Sequence, residues 1–233
     1  AEHAKIDHNR ITNSFEVYKN KLALQSSALV NFETMMISRF QMFKAVYFHK
    51  TVRAGEVMLL EAMSLADDYL GLSKMNVESY MIQTDDSILQ QLTSLPEDTS
   101  ELKAAKKIAT DYQDRKLFKC VFEKTISGKK SFGRNKLKQF REDIAKKSKL
   151  AESQIFIDTS TTHSMPLAPS KKESSSIILI KKEGSKVIPK TIPISEIPLV
   201  SSMSGKMNIL RAYTQQKNRN KVEIAAKSIL GEL

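Results

Sequence analysis

The chain has 233 residues, 41% of them hydrophobic and 27% charged, so it is long enough to bury one large core or two small ones. No apolar run approaches the ~20 residues needed to cross a bilayer, and the N-terminus lacks the charged-then-apolar pattern of a secretion signal, so we expect a soluble protein with no membrane partner. The only cysteine in the sequence, Cys120, cannot form an intramolecular disulfide bond, which favours a reducing, cytoplasmic location.

The net charge of +11 is concentrated in one segment. Residues 101–150 contain 16 Lys and Arg but 6 Asp and Glu. A concentrated basic segment favours polyanionic partners such as nucleotides or nucleic acid, because phosphates are attracted to it and release counterions on binding. The alternative is a solvated, lysine-rich helix face with no ligand.

The N-terminal half is predicted to be mostly helical after a short hairpin. Two apolar segments, residues 11–17 and 21–24, flank the turn residue Asn20 and predict the hairpin. From residue 27 to 70 there is no proline and one glycine, and apolar residues recur at helical spacing. This pattern predicts one long helix that ends at Gly71.

Two further helices are predicted over residues 85–95 and 98–114, each with a polar capping residue at its start. The C-terminal half mixes strands and helices. Its predicted elements are a strand over 117–125, a basic amphipathic helix over 131–150, a strand over 154–158, a loop over 159–175, a hairpin of 176–180 with 187–189, and helices over 207–216 and 222–230. The expected fold class is mainly α, with a helical N-terminal half (domain 1–115) followed by a small α+β subdomain (domain 116–233).

One side of the long predicted helix combines apolar and cationic residues. The apolar positions lie within about 40° of a common line and predict a buried stripe. They are Phe32, Met36, Phe40, Phe43, Tyr47, Ala54 and Met58. Arg39 and Lys50 fall beside this stripe, where an unpaired cation is costly to bury. Each is therefore expected to meet a carboxylate in a structural salt bridge, to bind an anionic ligand such as a phosphate, or to reach solvent along its aliphatic stem.

Three segments of the chain occur in a characteristic order. They are residues 36–54 (MISRFQMFKAVYFHKTVRA), 65–70 (LADDYL) and 112–119 (YQDRKLFK). Together they resemble the HD-domain phosphohydrolase family, including its archaeal members and its deoxynucleoside triphosphate triphosphohydrolases that carry a sterile-alpha-motif domain. The likeness is good over residues 1–125 and holds in outline beyond them.

The resemblance implies a metal-dependent hydrolase that converts a deoxynucleoside triphosphate into a deoxynucleoside and inorganic triphosphate. By position in the motif, it implies that Arg39 contacts the substrate phosphates and that Tyr47 lies against the sugar. It also implies a second nucleotide site between the subunits of a homo-oligomer. The residues matching that second site are His49, Lys50, Arg115 and Lys119.

The sequence departs from the family at the metal centre. The family's ligands are a His, a His-Asp dipeptide and a distant Asp, whereas this sequence has no His-Asp dipeptide. Its histidines are His3, His8, His49 and His163. We therefore expect no catalytic residue or metal ligand within this chain, and a divalent metal ion bound by residues upstream of Ala1 in a longer polypeptide. The chain alone is expected to be inactive.

A different class of function also fits the charge distribution. The basic region between Lys103 and Lys149 is compatible with a nucleic-acid-binding or regulatory module without catalysis, and a noncatalytic oligomerisation domain is a third alternative. The nucleic-acid-binding module is expected to bind single-stranded RNA or DNA. Such a module would bind more weakly as salt rises and would not depend on Tyr47.

Overall fold

The computed structural model describes residues 6–126, 132–163, 176–184, 186–193, 196–197 and 206–232. Its α-helices are α1 (His8–Asn13), α2 (Leu29–Met42), α3 (Lys50–Leu70), α4 (Val77–Met81), α5 (Asp85–Thr93), α6 (Ser100–Gln113), α7 (Arg134–Ser148) and α8 (Arg219–Leu230). Its strands are β1 (Phe15–Tyr18), β2 (Lys21–Gln25), β3 (Lys119–Ile126), β4 (Ile155–His163), β5 (Ser176–Glu183), β6 (Lys186–Pro193) and β7 (Lys206–Thr214). The fold is mainly α with two small sheets, which confirms the predicted class at this level.

The described residues divide into two compact units. The first contains residues 6–47 and the described residues between 161 and 208. The second contains residues 48–126, 132–160 and 209–232. The predicted functional division at residue 115 stays a prediction.

The first unit is built on a four-stranded sheet in the order β1-β2-β5-β6. β2 runs parallel to β5, with Leu24 opposite Leu179, while the other two pairs are antiparallel. The predicted layout of a helical N-terminal half followed by a separate α+β subdomain is not confirmed, because the N-terminal hairpin and the hairpin of β5 and β6 form one sheet. Leu24 and Leu179 share a buried core with Phe32 and Met36 of α2.

The predicted N-terminal hairpin is confirmed, with a two-residue turn. Lys19 and Asn20 have φ values of 48° and 59°, and the flanking Tyr18 and Lys21 are paired. Positive φ at both positions defines a type I′ turn, whose twist matches that of the strands. Ile11 was expected in a strand but lies in α1, so that part of the prediction is wrong.

The long predicted helix is interrupted. α2 ends at Met42, Phe43–Tyr47 form a π-helical turn, and α3 begins at Lys50. The prediction of one continuous helix is wrong here, because hydrophobic spacing does not reveal an extra residue in a turn. The predicted stripe divides accordingly, since Met36 and Met58 are buried whereas Tyr47 is 46% exposed. Gly71 ends α3 as predicted, in the left-handed conformation with φ 66°.

The second unit is centred on α3, which packs along α6 and against α5. Small residues allow the two longer helices to approach closely, as Ala62 and Ala66 of α3 and Ala105 of α6 are fully buried. At Gly55, an added Cβ would lie 3.1 Å from the ring of Tyr112. The predicted helices over 85–95, 98–114, 131–150 and 222–230 are confirmed as α5, α6, α7 and α8.

A three-stranded sheet in the order β3-β7-β4 also belongs to this unit, through residues 119–126, 209–214 and 155–160. The central strand β7 separates two cores. Leu210 and Ala212 pack with α7 and α8, whereas Tyr213 packs with α3 and α6. The helix predicted over 207–216 is therefore wrong, because a strand buried on both faces lacks the alternation that identifies strands.

The remaining strand predictions are confirmed. Residues 117–125 and 154–158 correspond to β3 and β4, and the C-terminal hairpin corresponds to β5 and β6. β4 extends into the predicted loop as far as His163, and the rest of that loop, residues 164–175, lies outside the described residues.

Candidate functional site

Arg39, Phe43 and Tyr47 lie next to one another as a column in the first unit. The guanidinium carbon of Arg39 lies 5.3 Å from the centroid of the Phe43 ring, which is a cation–π distance. The rings of Phe43 and Tyr47 have their centroids 4.8 Å apart, with their planes inclined at 43°. Arg39 and Tyr47 are both exposed, so Phe43 connects two accessible side chains.

The column follows ordinary helical spacing, since its three residues are each four positions apart and such residues are neighbours on a helix surface. Arg39 lies in the last turn of α2, and Phe43 and Tyr47 begin and end a π-helical turn. Such turns are rare and frequently occur at functional sites. Within the part of the chain that the structure describes, no carboxylate forms an ion pair with Arg39. Its N–H groups are therefore accessible to a ligand, and a planar guanidinium can donate two parallel hydrogen bonds to a phosphate.

The start of α3, in the second unit, presents two more of the predicted residues. His49 is the N-cap, and its ring Nδ1 accepts a hydrogen bond of 3.3 Å from the backbone N–H of Thr51. Lys50 is the first helical residue, and both side chains are exposed. The free N–H groups of a helix start carry partial positive charge, to which the ammonium group of Lys50 adds.

Two buried residues of β7 hold this helix start in place. Arg211 is 3% exposed and donates from Nη2 to the carbonyl of Phe48 (2.8 Å) and from Nε to the carboxylate of Glu123 (2.7 Å). Tyr213 is fully buried and donates its hydroxyl to the carbonyl of Lys50 (3.1 Å). Burial raises the pKa of Tyr213 above its ordinary value of 10.0, so the hydroxyl remains a donor at neutral pH.

A buried carboxylate continues this network. Asp158 is 7% exposed and accepts hydrogen bonds from Nε (3.0 Å) and Nη2 of Arg53 and from the hydroxyl of Ser160 (3.1 Å). Nη1 of Arg211 lies 3.4 Å from the hydroxyl oxygen of Ser160, and Arg53 also pairs with Glu56. Hydrogen-bonded charges therefore join α3, β4 and β7.

An open cleft of about 460 Å³ lies beside the start of β3. Its lining residues are Asp111, Lys116, Leu117, Lys119, Gln215, Gln216 and Lys217. Asp111 is paired with Lys107 at 3.1 Å, whereas Lys119 and Lys217 make no ion pair with any described residue. Two unpaired ammonium groups on one cleft attract an anion such as a phosphate.

The predicted second-site residues are distributed over three places in this unit. Lys119 lines the cleft, and His49 and Lys50 lie at the anchored start of α3. Arg115 is exposed in the connection between α6 and β3, where its φ is 60°, and it is not among the cleft's lining residues.

The structure adds candidate site residues that the sequence prediction missed. Gln215, Gln216 and Lys217 line the cleft but were assigned mostly to a helix. Recognising β7 as a strand would have placed this polar run at a strand end. Arg211 was also missed, although an arginine within the apolar run 209–213 signals a buried charge that needs partners.

The described residues do not fit a divalent-metal centre. Among them, no group of three or more His, Cys, Asp or Glu side chains is arranged to hold a metal ion. His3 and the side chain of His163 lie outside the described residues.

Burial, followed by the charge of Glu123, raises the pKa of the Cys120 thiol, which therefore stays protonated near neutral pH. Among the helices described, none is long and apolar enough to span a membrane.

The chain belongs to the HD-associated-region family, whose profile matches residues 6–231. It is therefore associated with HD-domain proteins, as the three motifs predicted. It is 28% identical over 153 residues to a protein named deoxynucleoside triphosphate triphosphohydrolase SAMHD1 homolog from Dictyostelium discoideum, over 65% of this chain and 29% of that protein. It is 29% identical over 130 residues to a putative HD domain-containing protein of Acanthamoeba polyphaga mimivirus, over 49% of this chain and 28% of that protein.

The chain thus spans less than a third of the length of these two relatives. Its fold is similar to a crystal structure of a hypothetical protein from Aquifex aeolicus, with a TM-score of 0.65 and 20% sequence identity. That similarity covers 97% of this chain and 52% of the other.

Proposed function

We propose that this chain is the C-terminal part of a metal-dependent HD-domain nucleotide phosphohydrolase. In the proposed reaction, water adds to the α-phosphorus of a deoxynucleoside triphosphate and the bond to the sugar 5′ oxygen breaks, so that a deoxynucleoside and inorganic triphosphate are released. The observation that carries the proposal is the column formed by exposed Arg39 in the last turn of α2 and by Phe43 and exposed Tyr47 in the π-helical turn. The family membership and the name of the Dictyostelium relative support it.

In this proposal the chain contributes binding rather than the chemical step. Arg39 donates a pair of N–H groups to the phosphates, and Tyr47 packs against the sugar. The side chains of Arg39 and Tyr47 both contact the ring of Phe43, which limits their conformational freedom before the substrate binds. We propose that the divalent metal ion of the complete protein is bound by residues outside this chain.

We further propose that a second nucleotide binds near the cleft, using Lys119 together with His49, Lys50 and Arg115. The unpaired ammonium groups of Lys119 and Lys217 support an anionic ligand there. In the proposed homo-oligomer, residues of another subunit complete this site.

The test is hydrolysis of the four deoxynucleoside triphosphates by the full-length protein with a divalent metal ion. We expect Arg39→Ala to lower kcat/KM by about 10- to 100-fold, because it removes charge-assisted hydrogen bonds to phosphate. Tyr47→Ala is expected to lower it for deoxynucleoside triphosphates while leaving the affinity for inorganic triphosphate unchanged, because that anion has no sugar.

The matched control is Arg10→Ala, which removes another exposed arginine of the first unit, on α1. It should retain the wild-type kcat/KM. The proposal fails if the wild-type protein shows no turnover of any deoxynucleoside triphosphate, or if Arg39→Ala leaves nucleotide affinity unchanged.

A second candidate function is binding of single-stranded nucleic acid. The exposed cations of α7 favour it, since Arg134, Lys136 and Lys146 make no ion pair with any described carboxylate. It predicts that affinity for a single-stranded oligonucleotide falls steeply with salt concentration and is unaffected by Tyr47→Ala.

A module whose role is oligomerisation alone would assemble without any ligand, which sedimentation at several protein concentrations would detect.

A further inference from the structure

Strand β7 contacts both parts of the proposed second nucleotide site. Residues two apart on a strand point to the same face, so Arg211 and Tyr213 reach the same neighbour, the start of α3. Immediately after the strand, Gln215 and the residues that follow line the cleft that contains Lys119. A single extended segment therefore connects the cleft to the helix start.

The contacts to the helix start are unusually direct. Arg211 and Tyr213 donate hydrogen bonds to the backbone carbonyls of Phe48 and Lys50, which flank His49 on both sides. These two hydrogen bonds fix the position of the main chain at the helix start. They therefore also fix the Cα positions from which the exposed side chains of His49 and Lys50 extend.

The strand itself has little freedom to move. Arg211 and Tyr213 are almost completely buried, and Arg211 is also bonded to Glu123 on β3. At the cleft end, the hydroxyl of Thr214 donates to the carbonyl of Gln154 at 2.7 Å. A strand packed between two cores transmits a displacement at one end to the other, because close-packed interiors are not easily compressed.

We propose that Tyr213 and Arg211 are positioning residues for the second nucleotide site, holding the helix start that carries His49 and Lys50 in register with the Lys119 cleft. This inference rests on the proposed function. Neither residue touches the nucleotide, and each acts through the carbonyl group that it binds. Nucleotide binding at the cleft consequently stabilises the first turn of α3.

The test uses dATP binding by the full-length protein in an Arg39→Ala background, so that the remaining affinity reports the second site. Tyr213→Phe removes only the hydroxyl group and keeps the ring in its core. We expect it to weaken this remaining binding about three- to tenfold, the size expected for one hydrogen bond. Lys119→Ala should remove most of the binding, and Tyr80→Phe, at an exposed tyrosine of α4, should leave it unchanged.

A second measurement needs no substitution at Tyr213. Hydrogen exchange of the peptide that contains His49 and Arg53 should slow when dATP binds in the Arg39→Ala background. Lack of protection overturns the inference even if Tyr213→Phe fails to fold. A role in stability alone would lower the melting temperature of Tyr213→Phe without changing its dATP affinity, and that result also overturns it.

The outcomes separate the inference from the function on which it rests. Unchanged dATP affinity in Tyr213→Phe, together with loss in Lys119→Ala, overturns the positioning role alone. Unchanged affinity in Lys119→Ala overturns the second site and the positioning role, while hydrolysis can still stand. Absence of dATP binding and hydrolysis in the wild-type protein overturns the proposed function and this inference together.

Discussion

Replacing one partner of the buried ion pair between Arg53 and Asp158 should lower the free energy of unfolding substantially. Replacing both partners should lower it by much less than the sum of the losses in the two single variants. Asp158 is 7% exposed and accepts two hydrogen bonds from Arg53, which is itself 18% exposed. Removing one partner of a buried pair leaves an uncompensated charge, at about 3–5 kcal/mol. Asp158→Leu should fall near ~3 kcal/mol, because Arg53 keeps Glu56 as a partner. Arg53→Met should fall nearer ~4 kcal/mol, because it leaves a buried carboxylate with the hydroxyl of Ser160.

The assay is urea denaturation of the wild-type chain, both single variants and the double variant, with the free energy of unfolding extrapolated to water. The double variant should lose at least ~2 kcal/mol less than the sum of the single losses, because neither charge is left buried alone. Lys107→Met is the control, since it breaks a surface pair with Asp111 and should cost under ~1 kcal/mol. Single losses below that control value, or strictly additive losses, would refute the reasoning.

Three other predictions concern stability. Burial raises the pKa of Tyr213 above 10.0 and the pKa of Cys120 above 9.0. The contribution of these two groups to the free energy of unfolding is therefore complete below pH ~9 and declines as the pH rises further, because the groups ionise more readily in the unfolded chain. Denaturant titrations at pH values from about 8 to about 11, a range that brackets the two ordinary pKa values, should show this decline in the free energy of unfolding. Above pH ~10 the free energy of unfolding of Tyr213→Phe should decline less steeply than that of the wild type. Gly55→Val should lower the melting temperature, with a cost of about 1–3 kcal/mol, because its branches extend beyond a Cβ that already lies 3.1 Å from the ring of Tyr112. Gly55→Ala should be nearly neutral, because its higher helix propensity, about 1 kcal/mol, offsets that tight Cβ contact. Asn20→Gly should raise the free energy of unfolding by roughly 0.5 kcal/mol, because glycine suits φ 59° in a type I′ turn; a loss of stability would contradict that assignment.

The candidate site was only partly predictable from the sequence. Family resemblance indicated Arg39 and Tyr47, but the helical periodicity placed Tyr47 on a buried stripe. In the structure Tyr47 lies at the end of the π-helical turn, is 46% exposed and contacts the ring of Phe43. A π-helical turn has more residues per turn than an α-helix, and this difference leaves no trace in the spacing of apolar residues.

The sequence by itself determined the elements whose signals are local. Thr99 caps α6, Gly71 ends α3, and Asn20 lies in the turn of the first hairpin, because each acts on backbone groups within a few residues. Tertiary structure alone decided that residues 206–214 form the central strand of a sheet. A strand with Leu210 in one core and Tyr213 in another shows no polar alternation, and the partners that Arg211 requires are up to 163 residues away in the chain.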